Sequence, residues 1–153
     1  MDPRVQTRLI EDLIAPYWSS DPSQRAELWL KFMRDELLYI PDPPMIPCVA
    51  SMASYRDTAI RSSHGVGKTT FGANIILTAL TLTPELLVMQ LSPTWRQVNN
   101  IFWNEIRKWS RNSRLFHALF DIADKSPSIT SRADPFKWHA IGMASNMPGK
   151  VEG

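Results

Sequence analysis

The sequence predicts an α/β fold, in which apolar strands alternate with helices. A glycine-containing loop that ends in Gly67-Lys68-Thr69 lies between a short β-prone run and a long apolar stretch. A second apolar run, over residues 86–91, is followed by another segment with helical spacing. Strands and helices in this order favour a parallel sheet with right-handed crossovers. The expected architecture is a parallel sheet with flanking helices, preceded by a small helical segment.

Composition and charge are those of a globular chain, with one asymmetry. The 153 residues are 44% hydrophobic and 21% charged, which suits one domain with an apolar core. The net charge is +2, but residues 1–42 hold five basic and eight acidic side chains, so the rest of the chain carries +5. This basic surplus is compatible with a polyanionic partner.

Cysteine and histidine usage argues against a disulfide framework or a structural metal. Cys48 is the single cysteine, and the three histidines lack the spacing of metal ligands. Charged residues interrupt the apolar residues near the N-terminus, and the longest charge-free stretch falls short of the ~20 residues that a membrane helix needs. We therefore expect no signal peptide and no membrane span.

Two helices are predicted before the glycine loop. Apolar residues recur at helical spacing over residues 3–15, and Asp21-Pro22-Ser23-Gln24 provides an N-cap, a first-turn proline and a capping-box glutamine for a helix over residues 22–39. Residues 1–40 form either a lid or appendage on the following domain, or a cover for one face of its sheet. Residues 41–54, which are rich in proline, are predicted to be a linker, and residues 55–153 are predicted to form the α/β domain.

The segment Ser62-Ser63-His64-Gly65-Val66-Gly67-Lys68-Thr69-Thr70 is predicted to bind nucleotide phosphates. It matches the consensus G-x-x-x-x-G-K-[ST], with Ser62 in place of the first glycine. Glycine permits backbone conformations that aim several N–H groups at one anion, and the following helix directs its positive N-terminal end at the same point. Lys68 would contact the β- and γ-phosphates of ATP, and the Thr69 hydroxyl would bind Mg²⁺.

The segments around the loop fit this assignment. Thr58-Ala59-Ile60 is predicted to be the buried strand that leads into the loop. Residues 69–84 carry no charge, and their apolar residues cover most of a helix circumference, which is typical of a buried helix. Tyr55 is the nearest aromatic residue that could contact adenine, although a surface tyrosine in a turn is the better interpretation.

The second half of the chain contains further strands and helices. Residues 86–91 are predicted to form a second buried strand, and residues 95–109 a helix. Residues 115–123 form a short helix or strand, and residues 128–131 and 136–141 alternate like the two strands of a hairpin. The sequence over residues 147–153 is turn-like.

The helix after the second predicted strand is a candidate for nucleic-acid contact. Basic residues are interleaved there with tryptophans and a single glutamate, Glu105. The residues concerned are Arg96, Arg107, Lys108, Arg111 and Arg114, with Trp95, Trp103 and Trp109. Such residues bind nucleic acid through phosphate contacts and stacking. Alternatively, the tryptophans belong to the core and the basic residues compensate the helix dipole.

The acidic residues that an ATPase needs are not found. In many ATPases an apolar strand ends in Asp-Glu, which holds Mg²⁺ and activates water, and no apolar run of this sequence ends in that way. Asp121 and Asp124 are the late candidates, and neither ends a convincing strand. The sequence therefore predicts nucleotide binding without the residues for hydrolysis.

Residues 61–69, followed by Ser92-Pro93-Thr94-Trp95-Arg96-Gln97-Val98 and Trp103, resemble the N-terminal ATPase region of the large terminase subunit of tailed bacteriophages. The resemblance covers about residues 55–153. It implies a P-loop NTPase domain of the RecA-like (ASCE) type that is incomplete here. In that family, the Walker B strand with its Asp-Glu pair and a later nuclease domain follow the matching region.

The resemblance also implies roles for particular residues. Gly65, Gly67, Lys68 and Thr69 would hold MgATP, with Lys68 as a catalytic residue. His64 occupies a position where many terminases have an arginine implicated in sensing or catalysis, and a plain loop-shaping histidine is the alternative. The DNA-contact candidates lie in a helicase-like motif beside the DNA path. They are Ser92, Thr94, Arg96 and Gln97.

The implied function is that of the ATP-binding part of a phage DNA-packaging motor, which couples ATP hydrolysis to translocation of double-stranded DNA. The full-length protein would be a homo-oligomeric ATPase that works with a portal protein and a small terminase subunit in the host cytoplasm. We expect little or no hydrolysis by these 153 residues. The alternatives are another P-loop nucleic-acid ATPase, such as a helicase or transposition ATPase, and a nucleotide-binding module without turnover.

Overall fold

The computed structural model describes residues 3–63, 65 and 67–146, with the backbone alone at residues 3, 5 and 6. Three helices form the N-terminal part: α1 (Pro3–Ile14), α2 (Arg25–Asp35) and α3 (Ile46–Ser54). Short 3₁₀ turns lie at Ala15–Tyr17, Pro22–Gln24 and Pro43–Met45. Helix α2 ends before the predicted residue 39 because Leu38 adopts φ +55°, a left-handed conformation that stops a helix.

The remaining elements alternate between helix and strand. Helix α4 (Lys68–Leu82) leads to strand β1 (Leu87–Ser92) and to a π-helical segment (Gln97–Phe102) that continues into α5 (Trp103–Ser110). Helix α6 (Arg114–Leu119) then runs directly into strand β2 (Phe120–Ile122), so the region predicted as helix or strand contains both. Strands β3 (Ser128–Ser131) and β4 (His139–Ala144) follow.

The four strands form one mixed sheet in the order β1-β4-β3-β2. Strand β1 runs parallel to β4, while β2, β3 and β4 pair antiparallel. The fold is therefore α/β, but the prediction of a parallel sheet is wrong for two of its three strand pairs, and the sheet is mixed. The connections from β2 to β3 and from β3 to β4 are too short for the crossover of a dozen or more residues that parallel neighbours need.

The predicted hairpin is confirmed as β3 and β4, with β4 beginning three residues later than expected. The carboxylate of Asp134 accepts hydrogen bonds from the backbone N–H of Phe136 at 3.1 Å and of Lys137 at 3.0 Å. The carbonyl of Asp134 accepts a third, from Trp138 N–H at 3.1 Å. These bonds close a turn over residues that the alternating pattern assigned to a strand.

The strand predicted at Thr58-Ala59-Ile60 does not form. Residues 57–63 contain no helix or strand, and Ala59 is exposed. The Thr58 hydroxyl lies 3.0 Å from that of Ser51 at the end of α3, and β1 remains an edge strand. A run of three residues forms a strand only where a neighbouring strand satisfies its backbone groups, and β1 does not provide that pairing here.

The sheet is covered by helices on one face. Burial alternates along β1 and β4, and Gly142 of β4 faces Trp103 and Val98 of the helical segment that follows β1. The residues of β1 that point to the other face are exposed: Leu87 by 59%, Met89 by 54% and Leu91 by 53%. The strand predicted at residues 86–91 is therefore present as β1, but it is half-exposed because one of its two faces is not covered by helices.

The N-terminal helices pack on other helices. Helix α2 contacts α3 and α4. The Asn112 amide donates to the Leu37 carbonyl at 2.9 Å, and the Tyr39 ring meets Trp109 edge to face at 5.2 Å. Residues 41–54, which were predicted to be a linker, contain the 3₁₀ turn Pro43–Met45 and helix α3. Pro43 and Pro44 lie in the 3₁₀ turn and Pro47 in the first turn of α3, where proline fits a helix, and Val49 and Ala53 are buried one turn apart.

Helix α4 is the central element, as its charge-free sequence predicts. Its buried residues include Phe71, Leu77 and Leu80. Two buried threonine hydroxyls donate back to the helix itself, Thr78 to the Asn74 carbonyl and Thr81 to the Leu77 carbonyl, each at 2.7 Å. This back-bonding satisfies polar groups that would otherwise be costly to bury.

Candidate nucleotide-binding site

The glycine loop leads directly into the N-terminus of α4. Gly65 has φ +77° and Gly67 has φ +75°, a conformation that residues with a Cβ rarely adopt. An added Cβ would have no atom within 4 Å at either position, so the space around both glycines is open. Gly67 is the N-cap of α4, and among the described residues no side chain caps that helix end. The N–H groups of the first helical turn and the positive end of the helix dipole therefore lie next to the loop.

Lys68 is the first residue of α4 and folds back over the loop. Its ammonium group donates a hydrogen bond to the Ser62 carbonyl at 2.9 Å. The Ser62 hydroxyl is buried and has no hydrogen-bond partner among the described residues. Ser63 is exposed, and Thr69 and Thr70 are half-buried. The predicted site residues His64 and Val66 lie outside the described residues.

Glu105 of α5 is a neighbour of the loop that sequence reasoning missed. One carboxylate oxygen accepts hydrogen bonds from the Thr70 hydroxyl and from the Trp109 indole N–H, each at 2.9 Å. The other lies 3.8 Å from the Lys108 ammonium. A carboxylate is favourable beside the N-terminal turn of a helix such as α4. The sequence signal was its position as the one acidic residue in a basic helix, but only the packing of α5 on α4 brings it to Thr70.

Three of the four predicted DNA-contact residues have local structural roles. Thr94 and Gln97 form a capping box: the Thr94 hydroxyl accepts from Gln97 N–H at 3.3 Å, and the Gln97 side chain accepts from Thr94 N–H at 3.2 Å. The Ser92 hydroxyl accepts from the Gln90 amide at 2.6 Å. Arg96 is exposed at the start of this helical region.

The predicted stacking of bases on the tryptophans is wrong for Trp103. That side chain is fully buried, and its indole N–H donates to the buried Gln90 amide oxygen at 3.2 Å. Trp109 is half-buried between Tyr39 and Lys108. Trp103 therefore belongs to the core, which is the alternative interpretation given for these tryptophans.

The basic residues of this region divide into two groups. The Arg107 guanidinium donates to the carbonyls of Ala123 and Ser126 at 3.2 Å, and so anchors the turn before β3. Arg96, Arg111 and Arg114 are exposed. These three, together with the exposed Lys108, whose ammonium group lies 3.8 Å from Glu105, are the side chains that remain available for phosphate contact.

Carboxylates do not end the strands of the parallel pair. Strand β1 ends at Ser92 and β4 at Ala144. Asp121 lies within β2 and pairs with Arg132 at 2.6 Å. In the described part of the chain, no group of three histidine, cysteine or acidic side chains could hold a metal.

Comparisons with known proteins identify no relative of this chain. The chain matches no protein-family model, no curated protein and no solved structure. Among the described residues, none of the helices is both long and apolar enough to span a membrane.

Proposed function

We propose that this chain binds MgATP through residues 62–70 and is the ATP-binding part of a phage DNA-packaging motor. The observation that carries the proposal is the loop: two glycines in left-handed conformation stand before an uncapped helix N-terminus, with a lysine at the first helical position. This arrangement presents backbone N–H groups, a helix dipole and an ammonium group to one open space. A triphosphate is the ligand whose charge distribution suits all three.

Each polar group has a defined part in this proposal. The N–H groups of the loop and of the first turn of α4 would bind phosphate oxygens, and Lys68 would exchange the Ser62 carbonyl for the β- and γ-phosphates. Thr69 would hold Mg²⁺ through its hydroxyl. Glu105 would keep the first turn of α4 in place through Thr70. The residues of the loop therefore fit MgATP, with one protein ligand for the metal.

The motor assignment rests on the resemblance of two motifs, and DNA would be its polyanionic partner. Double-stranded DNA would meet the exposed Arg96, Arg111 and Arg114 through phosphate contacts. In the full-length protein, ATP hydrolysis would drive DNA translocation, with a portal protein and a small terminase subunit as partners in a homo-oligomeric assembly.

The experiment that tests the loop is nucleotide binding by a Lys68→Ala variant. We expect the affinity for MgATP to fall by at least about tenfold, which is about 1.4 kcal/mol, because the ammonium contact to the phosphates is lost. Isothermal titration calorimetry measures this, and Lys125→Ala, which removes an exposed lysine from the turn between β2 and β3, is the matched control. Unchanged ATP affinity in Lys68→Ala would show that the loop is not the phosphate site.

A nucleotide-binding module without turnover is the second candidate. It is favoured by the strand ends of the parallel pair, since β1 ends in Ser92 and β4 in Ala144 and neither residue is a carboxylate that could hold Mg²⁺. Phosphate release by the wild-type chain, measured beside the binding titration, separates the candidates. Hydrolysis that Lys68→Ala abolishes would exclude the module.

A further inference from the structure

A cavity of about 480 Å³ lies beside the phosphate loop. It is formed where the 3₁₀ turn Pro43–Met45 and the first turns of α3 meet the segment that leads into the loop. The residues that line it are Asp42, Pro43, Pro44, Met45, Cys48, Ile60, Arg61 and Ser62. Ser62 lines the cavity and is also part of the phosphate loop, where its carbonyl accepts the hydrogen bond from Lys68. Ser62 therefore connects the cavity to the ammonium group that would hold the phosphates.

The walls of this cavity are mostly apolar, and the turn that forms part of them is conformationally restricted. Met45 is buried, and Cys48 and Ile60 are half-buried. The two prolines have fixed φ angles, and the Met45 N–H donates to the Asp42 carbonyl at 2.7 Å, which closes the turn. Volumes of this size with apolar walls and a few polar groups are typical of small-molecule sites.

One polar side chain of the cavity lining, the Ser62 hydroxyl, has an unmet hydrogen-bond requirement. The Ser62 hydroxyl is buried and has no partner among the described residues. Buried hydroxyls are nearly always hydrogen-bonded, so an orphan one indicates a missing partner. A ligand that enters the cavity from the loop would supply it.

We propose that this cavity is the nucleobase subsite of the phosphate loop, a proposal that rests on the function proposed above. A nucleotide has an anionic end and a flat, largely apolar end, and the loop and the cavity supply matching environments side by side. The base would lie between the apolar walls formed by Pro44, Met45 and Ile60, and the Ser62 hydroxyl would hydrogen-bond to the nucleotide. Tyr55 does not line the cavity and is 71% exposed, so it has no part in this subsite.

Cys48 gives a direct test in the wild-type chain, because it is the single cysteine and lines the cavity. Alkylation of its thiol by N-ethylmaleimide is followed by mass spectrometry with MgATP or with inorganic tripolyphosphate, each at about ten times its dissociation constant. We expect MgATP to slow alkylation about tenfold, because only the unoccupied fraction reacts. Tripolyphosphate fills the loop alone and should leave the rate unchanged. Equal rates with both ligands would overturn the proposal.

A cavity-filling variant tests the same subsite by affinity. Cys48→Phe should weaken MgATP binding by at least about tenfold and leave tripolyphosphate binding unchanged, while Lys125→Ala, which lies outside the loop and the cavity, keeps both affinities. Circular dichroism checks that both variants fold. If Cys48→Phe binds ATP normally, or loses both ligands equally while folded, the cavity does not hold the base. If the wild-type protein binds neither ligand, both the phosphate site and the nucleobase subsite are excluded. If it binds tripolyphosphate but MgATP does not slow the alkylation of Cys48, only the nucleobase subsite is excluded.

Discussion

Close packing, rather than a special backbone conformation, requires a glycine at position 142 of β4. An added Cβ would collide with the indole nitrogen of Trp103 and lie 2.8 Å from Val98 Cγ1 and 2.9 Å from Pro127 Cβ. Trp103 has little freedom to move away, since it is fully buried and hydrogen-bonded to Gln90. Strand β4 and the helical segment therefore approach each other as closely as a glycine allows.

A Gly142→Ala variant should accordingly lose stability. We expect its free energy of unfolding to fall by about 1–3 kcal/mol, the usual cost of overpacking a core. Urea denaturation followed by tryptophan fluorescence measures this. Gly72→Ala is the matched control: its Cβ would meet only the Phe102 ring, at 3.2 Å, and alanine favours α4 by up to about 1 kcal/mol, so no net loss is expected. A stable Gly142→Ala variant would contradict the packing described.

At the residue scale, sequence reasoning succeeded where chemistry is local. Gly65, Gly67 and Lys68 are adjacent in sequence, so the motif itself indicated their conformation and position. Glu105 is 35 residues from its partner Thr70, and no local pattern connects them. The burial of Trp103 likewise depends on which side of its helix meets the sheet.

Among the elements, α2 is connected to the rest of the fold by Glu36 at its C-cap. One carboxylate oxygen accepts from the Tyr17 hydroxyl at 3.1 Å, and the other from the Ser113 hydroxyl at 3.0 Å. Burial raises the pKa of Tyr17 to about 12, and the charge of Glu36 and its hydrogen bond with the Tyr17 hydroxyl act in the same direction. The Glu36 carboxylate thus links the end of α1, α2 and the start of α6.

This pKa shift predicts a loss of stability in alkali. In the unfolded chain Tyr17 loses its proton near the ordinary pKa of 10.0, whereas in the folded protein it keeps the proton to about 12. Deprotonation therefore favours the unfolded state, and the free energy of unfolding should fall as the pH rises from about 10 to about 12. Burial also raises the pKa of Tyr39, so a Tyr17→Phe variant should reduce this fall without abolishing it. Denaturation at several alkaline pH values measures the slope, and an equal slope in both proteins would contradict the prediction.

A helix or strand could be predicted when the residues that determine it lie within its own sequence. Helices α2 and α4 were predicted because periodicity and the absence of charge are visible in sequence. The strand at residues 58–60 was not correctly predicted, because a strand depends on a partner elsewhere in the chain. Helix α3 was missed because its prolines indicate a break, although at a first turn they favour a helix.

For the molecule as a whole, the two faces of the sheet differ. One face packs against helices, and the other exposes Leu87, Met89 and Leu91 on edge strand β1, beside the half-buried Ile141 and Met143 of β4. Exposed apolar edge strands favour association between chains. We therefore expect the isolated chain to self-associate through this face.

A Met89→Lys variant should reduce that self-association. The side chain is exposed, so the free energy of unfolding should change by no more than about 0.5 kcal/mol. Sedimentation velocity at increasing protein concentration gives the oligomer distribution. Thr130→Lys adds the same charge to the polar part of the same face, because Thr130 pairs with His139 and His139 with Leu87. If both variants reduce association equally, net charge rather than the apolar face is responsible.

For the phosphate binding proposed above, the hydrogen bond between Lys68 and Ser62 has consequences for affinity and selectivity. The ammonium group is preorganised over the loop, so an arriving phosphate need not immobilise a freely rotating lysine, and the entropy cost of binding is lower. The same bond sets a threshold for the ligand: to displace the Ser62 carbonyl, it must offer a stronger acceptor than a neutral peptide oxygen. Anionic oxygens meet this condition, whereas water and uncharged polar metabolites do not.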